Sequence, residues 1–142
     1  MKKILLLFYV AVCFTLQASA QSFTINNTTS CDFAFVCVGA TPSCSQVDGF
    51  ISPVTVTAGN SVSYSTISAA PWGSTPLPGL QWSVTQVQDC NGVGGPKVGP
   101  GQPGCVSSFP NVGTGSAPAC GCSTYTLTRT VDAFGNVTVT IS

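Results

Sequence analysis

From residue 23 to its last residues, this chain carries short runs of strict apolar and polar alternation. Phe23 and Ile25 alternate with Thr24 and Asn26, Val54 and Val56 with Thr55 and Thr57, and Val62 and Tyr64 with Ser61, Ser63 and Ser65. Leu80, Trp82 and Val84 alternate with Gln81, Ser83 and Thr85, and Tyr125 and Leu127 with Thr124, Thr126 and Thr128. Val137, Val139 and Ile141 alternate with Thr138 and Thr140. A period of two predicts strands with one face buried. Phe33, Phe35 and Cys37 are interleaved with Ala34, Val36 and Val38, so that run is apolar on both faces and predicts a central, covered strand. No window of helical length carries a 3.6-residue apolar stripe.

Turn-forming residues separate the runs. Ala58-Gly59-Asn60, between Val56 and Val62, and Phe134-Gly135-Asn136, between Val131 and Val137, both have the composition of hairpin connections. Ser68 to Gly79, with Pro71, Pro76 and Pro78, predicts a longer loop. Asp89 to Ser123 is crowded with Gly, Pro and Cys, and predicts a long irregular loop of the kind that is functional or tied down. The expected fold is all-β: a single antiparallel β-sandwich of about seven short strands, with a small barrel as the alternative.

The first twenty residues have a different character. Lys2 and Lys3 precede an apolar run from Ile4 to Leu16, and Ala18-Ser19-Ala20 is a small-x-small cleavage site. This is the layout of a secretory signal peptide, too short in its apolar part for a spanning helix. Residues 1–20 are therefore expected to be cleaved, leaving residues 21–142 as one secreted β-sandwich domain. Val12 before Cys13 argues against lipoprotein processing. The two-lysine start and short signal point to a bacterial source and to a secreted, extracellular or cell-surface location, with the periplasm as an alternative. No later segment is apolar enough to span a membrane.

Charge narrows the choice of partners. Behind the leader stand only Lys97 and Arg129 against Asp32, Asp48, Asp89 and Asp132. No basic patch exists to neutralise phosphates, which excludes nucleic-acid binding by that route and electrostatic attachment to lipid. Seven cysteines follow the leader: Cys31, Cys37, Cys44, Cys90, Cys105, Cys120 and Cys122. In an exported chain these read as disulfides. Zinc is disfavoured, because Cys120-Gly121-Cys122 has the wrong spacing and there is no histidine to complete a site. Six residues of strand separate Cys31 from Cys37 by about 20 Å, so each is expected to bond elsewhere. Cys90 with Cys105 would close the Gly/Pro-rich loop, and Cys120 and Cys122 are expected to pair outward. Spacing alone leaves the connectivity open, and an odd count leaves one thiol over, read first as a buried one.

The residues of catalysis are scarce. The chain has no histidine and no glutamate, so Ser-His-Asp and Cys-His nucleophile systems lack their base. The four aspartates lie in separate segments, each explained by a turn or cap. No phosphate loop, calcium loop or cofactor motif is present. Trp82 shares the phase of Leu80 and Val84 and reads as core. Trp72, between Pro71 and Gly73, is the better candidate for a ligand contact. Asn26, Asn27 and Asn136 each begin an Asn-x-Ser/Thr sequon.

Phe23-Thr24-Ile25-Asn26-Asn27 followed by Cys31 resembles the opening of thaumatin-like proteins. The chain lacks the larger cysteine set and acidic cleft of that family, and no family is assigned. The expected function is that of a non-catalytic secreted or cell-surface structural or interaction protein, in adhesion, matrix or filament. The alternative is a carbohydrate- or ligand-binding module using the 89–123 loop and Trp72. The alternating final strand, Asn136 to Ser142, is expected to be able to pair with a neighbouring sheet edge, which makes self-association one expected partnership.

Overall fold

The computed structural model describes residues 21–142, so the expected leader lies outside the described residues. Among the described residues ten strands form: β1 (Phe23–Asn27), β2 (Phe33–Ala40), β3 (Val47–Gly49), β4 (Val54–Val56), β5 (Ser61–Tyr64), β6 (Gln81–Gln88), β7 (Gly94–Val98), β8 (Val112–Ala117), β9 (Cys122–Val131) and β10 (Val137–Ile141). They make two five-stranded sheets. The first has the order β5-β1-β10-β9-β8; the second has β3-β2-β6-β7, with β4 also on β2. On one edge of β2, β4 pairs with Phe33 to Phe35 and β3 with Val38 to Ala40, which makes β2 a central strand as its two-faced apolar pattern predicts.

Alternation sets what is buried between the sheets. The first sheet contributes Phe23, Ile25, Tyr125, Leu127, Val137, Val139 and Ile141; the second contributes Phe33, Phe35, Cys37, Val56, Trp82, Val87 and Val98. Each such large apolar side chain stabilises the fold by about 1.5–3 kcal/mol relative to exposure. The opposite face of the first sheet carries hydroxyls in rows, as in Ser63–Thr24–Thr138–Thr130, and Thr24 and Ser63 are hydrogen-bonded there at 2.9 Å.

Several expectations are corrected. The turn at Ala58-Gly59-Asn60 is no hairpin: β4 pairs with β2 and β5 with β1, so the chain changes sheets there. Asn27, buried to 1% exposure, fixes this corner. Its Nδ2 donates to the carbonyls of Cys31 (2.7 Å) and Val56 (2.9 Å), and its Oδ1 accepts from the N–H and hydroxyl of Thr29. That burial also removes Asn27 from the accessible sequons. The final strand offers no free edge, because β10 lies between β9 and β1 and pairs parallel with β1. The segment 89–123 is not one irregular loop, since it contains β7 and β8. The turn at Phe134-Gly135-Asn136 does close an antiparallel hairpin, between β9 and β10.

The alternation of Leu80, Trp82 and Val84 breaks at a bulge. Val38 pairs with Val84 but Gly39 with Trp82, so an extra residue shifts the phase. Trp82 enters the core and stacks on Phe23 at 4.3 Å between ring centroids. Val84 turns to the outer face of the second sheet.

Three disulfides hold these layers. Cys31–Cys122 joins the segment before β2 to the start of β9 and so ties one sheet to the other. Cys90–Cys120 joins the end of β6 to the turn before β9, and Cys44–Cys105 joins the β2–β3 connection to the loop after β7. The expected Cys90–Cys105 bridge does not form. β7 runs antiparallel to β6 and carries the chain back along it, and the eight residues of β6 span about 25 Å. Cys90 is left at one end and Cys105 at the other. Cys120 and Cys122 each pair outward, and Cys37 is the buried free thiol.

Candidate functional site

One end of the sandwich gathers the features of a binding surface. The Pro-rich loop after Ala70 is held by polar side chains of the β2–β3 region. The carboxylate of Asp48 accepts from the N–H (2.8 Å) and hydroxyl (2.7 Å) of Ser74 and from the N–H of Gly49. Gln46 donates to the Ser74 hydroxyl and the Thr75 carbonyl, and accepts from the Leu77 N–H. Partial desolvation raises the Asp48 carboxyl, but the hydrogen bonds from Ser74, Gly49 and Gly73 outweigh it and hold it below its ordinary value.

Beneath this loop lies an aromatic cluster. Trp72 packs on Phe50 (5.3 Å) and Trp82 (5.1 Å), and Phe50 also meets Tyr64 (5.8 Å). Trp72 is only 5% exposed, and its Nε1–H donates to the carbonyl of Ile67. The residue singled out for an exposed contact is therefore a support. Its ring has no free face for stacking, because the loop folds back over it to complete the core. Trp82 is buried, as its phase predicts.

Above the cluster is a cleft of about 360 Å³, lined by Ile67, Pro76, Leu77, Pro78, Leu80 and Gln21, among others. Leu77 is half exposed. Gln21 links this cleft to the β9–β10 hairpin, since its Nε2 lies 3.4 Å from where a Cβ on Gly135 would stand. The hairpin tip is braced by one carboxylate. Asp132 accepts from the N–H of Phe134 (2.8 Å), the N–H of Asn136 (2.9 Å) and Asn136 Nδ2 (2.8 Å). The Asn136 side chain leads in holding the Asp132 carboxyl below its ordinary value, with backbone N–H groups adding to it. Gly135 takes the positive φ of 83° that closes the turn. At this fixed tip Phe134 is 86% exposed.

A second recess lies on the outer face of the second sheet. The segment after β7 crosses this face as a flap, pinned by Cys44–Cys105 and folded on itself by bridges between Gly99 and Phe109 and between Gln102 and Val106. Val36, Val38 and Val84 face Val106 and Phe109 across a groove of about 300 Å³. The Lys97 amine stands 5.4 Å from the centroid of the Phe109 ring.

The other aspartates have local partners: Asp89 accepts from the N–H groups of Asn91 and Val93, and Asp32 from that of Ala58. Burial pushes the Cys37 thiol up to about 12, against a weaker opposing effect of the Thr85 hydroxyl. A thiol so placed stays protonated at neutral pH and is no nucleophile. Among the described residues, no group of three or more Cys or Asp side chains could hold a metal ion, and no helix is long and apolar enough to cross a membrane.

No protein-family model, curated protein or solved structure matches this chain.

Proposed function

We propose that this chain is a non-catalytic interaction protein, exported from a bacterial cell to its surface or surroundings, and that it contacts its partner with the end of the sandwich that carries Phe134. The observation that carries this reading is the exposure of Phe134 on a turn whose backbone is fixed by its neighbours. A large aromatic ring held in water at a rigid position needs no reordering when it is buried by a partner, and aromatic anchors dominate binding energy at interfaces. The apolar cleft joined to it through Gln21 extends the same surface. Three disulfides support an oxidising destination, in keeping with the leader-like start.

The roles this reading admits are adhesion, matrix or filament assembly. Retention of the purified protein on its producing cells, together with its state of assembly by light scattering, tests it. Phe134→Ser should abolish retention or assembly while leaving the unfolding midpoint unchanged. A wild-type protein that is monomeric and not retained, or a variant that behaves like wild type, would overturn the reading. The cleft favours a second reading, a ligand-binding module. In that case a soluble oligosaccharide or other small molecule would bind, and Leu77→Asp would abolish its binding.

A further inference from the structure

We propose that the groove beneath the 99–111 flap is a binding site for a small apolar anion, a monocarboxylate with a single acyl or aryl body. The walls come from strand geometry. Phe35 and Cys37 point into the core, so Val36 and Val38 stand on the outer face of β2, and the β2–β6 register sets Val84 beside Val38. An outer sheet face with three valines side by side is normally covered. Here the flap covers it only in part.

The flap cannot collapse freely onto the sheet. Cys44–Cys105 fixes its middle, the Phe109 N–H donates to the Gly99 carbonyl at 2.8 Å, and the Gly101 N–H donates to the Ser83 carbonyl at 3.4 Å. The remaining space, about 300 Å³, lies at the small end of ligand-sized cavities. Its apolar walls select a hydrocarbon body. The charge at the groove selects the sign of the headgroup. Lys97 lines the groove with its amine over Phe109, and it is one of two cations in residues 21–142. The four aspartates are engaged elsewhere, by Ala58, Ser74, Val93 and Asn136, and none of them lines the groove beside the amine. One cation beside an apolar slot matches one carboxylate on an apolar body.

The site shares no residue with the Phe134 end, so it stands or falls independently of the function proposed above. The test is titration of the oxidised, leader-free protein with octanoate, with octanol as the uncharged counterpart, followed by amide NMR shifts. Octanoate should shift Val36, Val38, Val84 and Phe109 saturably. Lys97→Gln should weaken octanoate by about tenfold, a charge-assisted contact, to the affinity wild type shows for octanol. Val38→Phe, which fills the slot, should abolish binding. No saturable shift at those residues, equal binding of octanoate and octanol, or an unchanged affinity in Lys97→Gln would overturn the proposal.

Discussion

Tyr125 and Gly115 face each other directly across the β8–β9 ladder, and the tyrosine ring occupies the space that a side chain on Gly115 would need. A Cβ built on Gly115 would stand 2.5 Å from the ring's Cζ and 2.9 Å from its Cε2. On the other side, Gly95 of β7 leaves room for the same hydroxyl. Two glycines from different sheets thus let one buried ring, which also packs edge-on to Phe33 at 4.8 Å, close this side of the sandwich. Gly115→Ala is expected to cost about 1–3 kcal/mol, because the ring has no room to yield. Urea denaturation measures it. The cost should largely vanish in a Tyr125→Val background, where the two substitutions couple; additive costs would show that the contact is not the cause.

The same residues explain what could be read from the sequence. β1, β2, β6, β9 and β10 announce themselves because their inward positions are large and apolar, so alternation reports the buried face. In β8 the inward positions are Gly113, Gly115 and Ala117, chosen small so that Pro96 and Tyr125 can approach. Such a strand has no apolar signal. β7, with Gly94, Gly95 and Pro96, reads as a loop for the same reason. Pairing was less legible than strand existence. A turn signal marks where the chain reverses, but which sheet each arm joins depends on partners far away in sequence, as at Ala58 to Asn60. Of the candidate site, the β9–β10 hairpin is legible from its turn residues, whereas apolar alternation alone does not report the exposure of Phe134. The signal was present: the turn Asp132-Ala133-Phe134-Gly135-Asn136 sets a large ring at a tip where no neighbouring strand can cover it.

Trp72 shows how local context misleads about exposure. Proline and glycine on either side mark a loop, yet the loop folds inward and the indole joins Phe50 and Trp82. Trp72→Ala should therefore destabilise the protein by about 3–5 kcal/mol, visible as a lowered denaturation midpoint. A change within about 0.5 kcal/mol, accompanied by lost ligand binding, would instead mark Trp72 as a contact residue.

The cysteines make a sharp prediction by mass. The oxidised, leader-free protein should take up no iodoacetamide at pH 8 while folded, because Cys37, the one free thiol among the described residues, is buried and its pKa is pushed by that burial up to about 12. In denaturant it should take up one label, and after reduction seven. Digestion without reduction should recover Cys31–Cys122, Cys44–Cys105 and Cys90–Cys120. Replacing both members of Cys31–Cys122 by alanine should cost about 2–5 kcal/mol, since this bridge closes a span of 91 residues and ties the sheets together. Rapid labelling of the folded protein, or a Cys90–Cys105 peptide, would contradict this arrangement.

Acid should loosen the hairpin that presents Phe134. The folded Asp132 carboxyl lies below its ordinary value of 3.8, chiefly through the Asn136 side chain. A depressed folded value means that the ionised form is the one the fold prefers. Its contribution to stability is therefore fully present above the ordinary value and is lost as the pH falls through the lower folded one. Asp132→Asn keeps the shape of the side chain but removes the titration. Its stability should thus fall less steeply below pH 4 than that of wild type, while Asp48, depressed in the same direction, still contributes to the slope in both proteins. Denaturation midpoints measured from pH 6 down to pH 2 distinguish the two profiles, and the Asn136 amide shift should follow the Asp132 titration in wild type alone. Superimposable profiles for the two proteins would mean that the carboxylate does not brace the tip, and that Phe134 is held out by the β9–β10 ladder and the Gly135 turn alone.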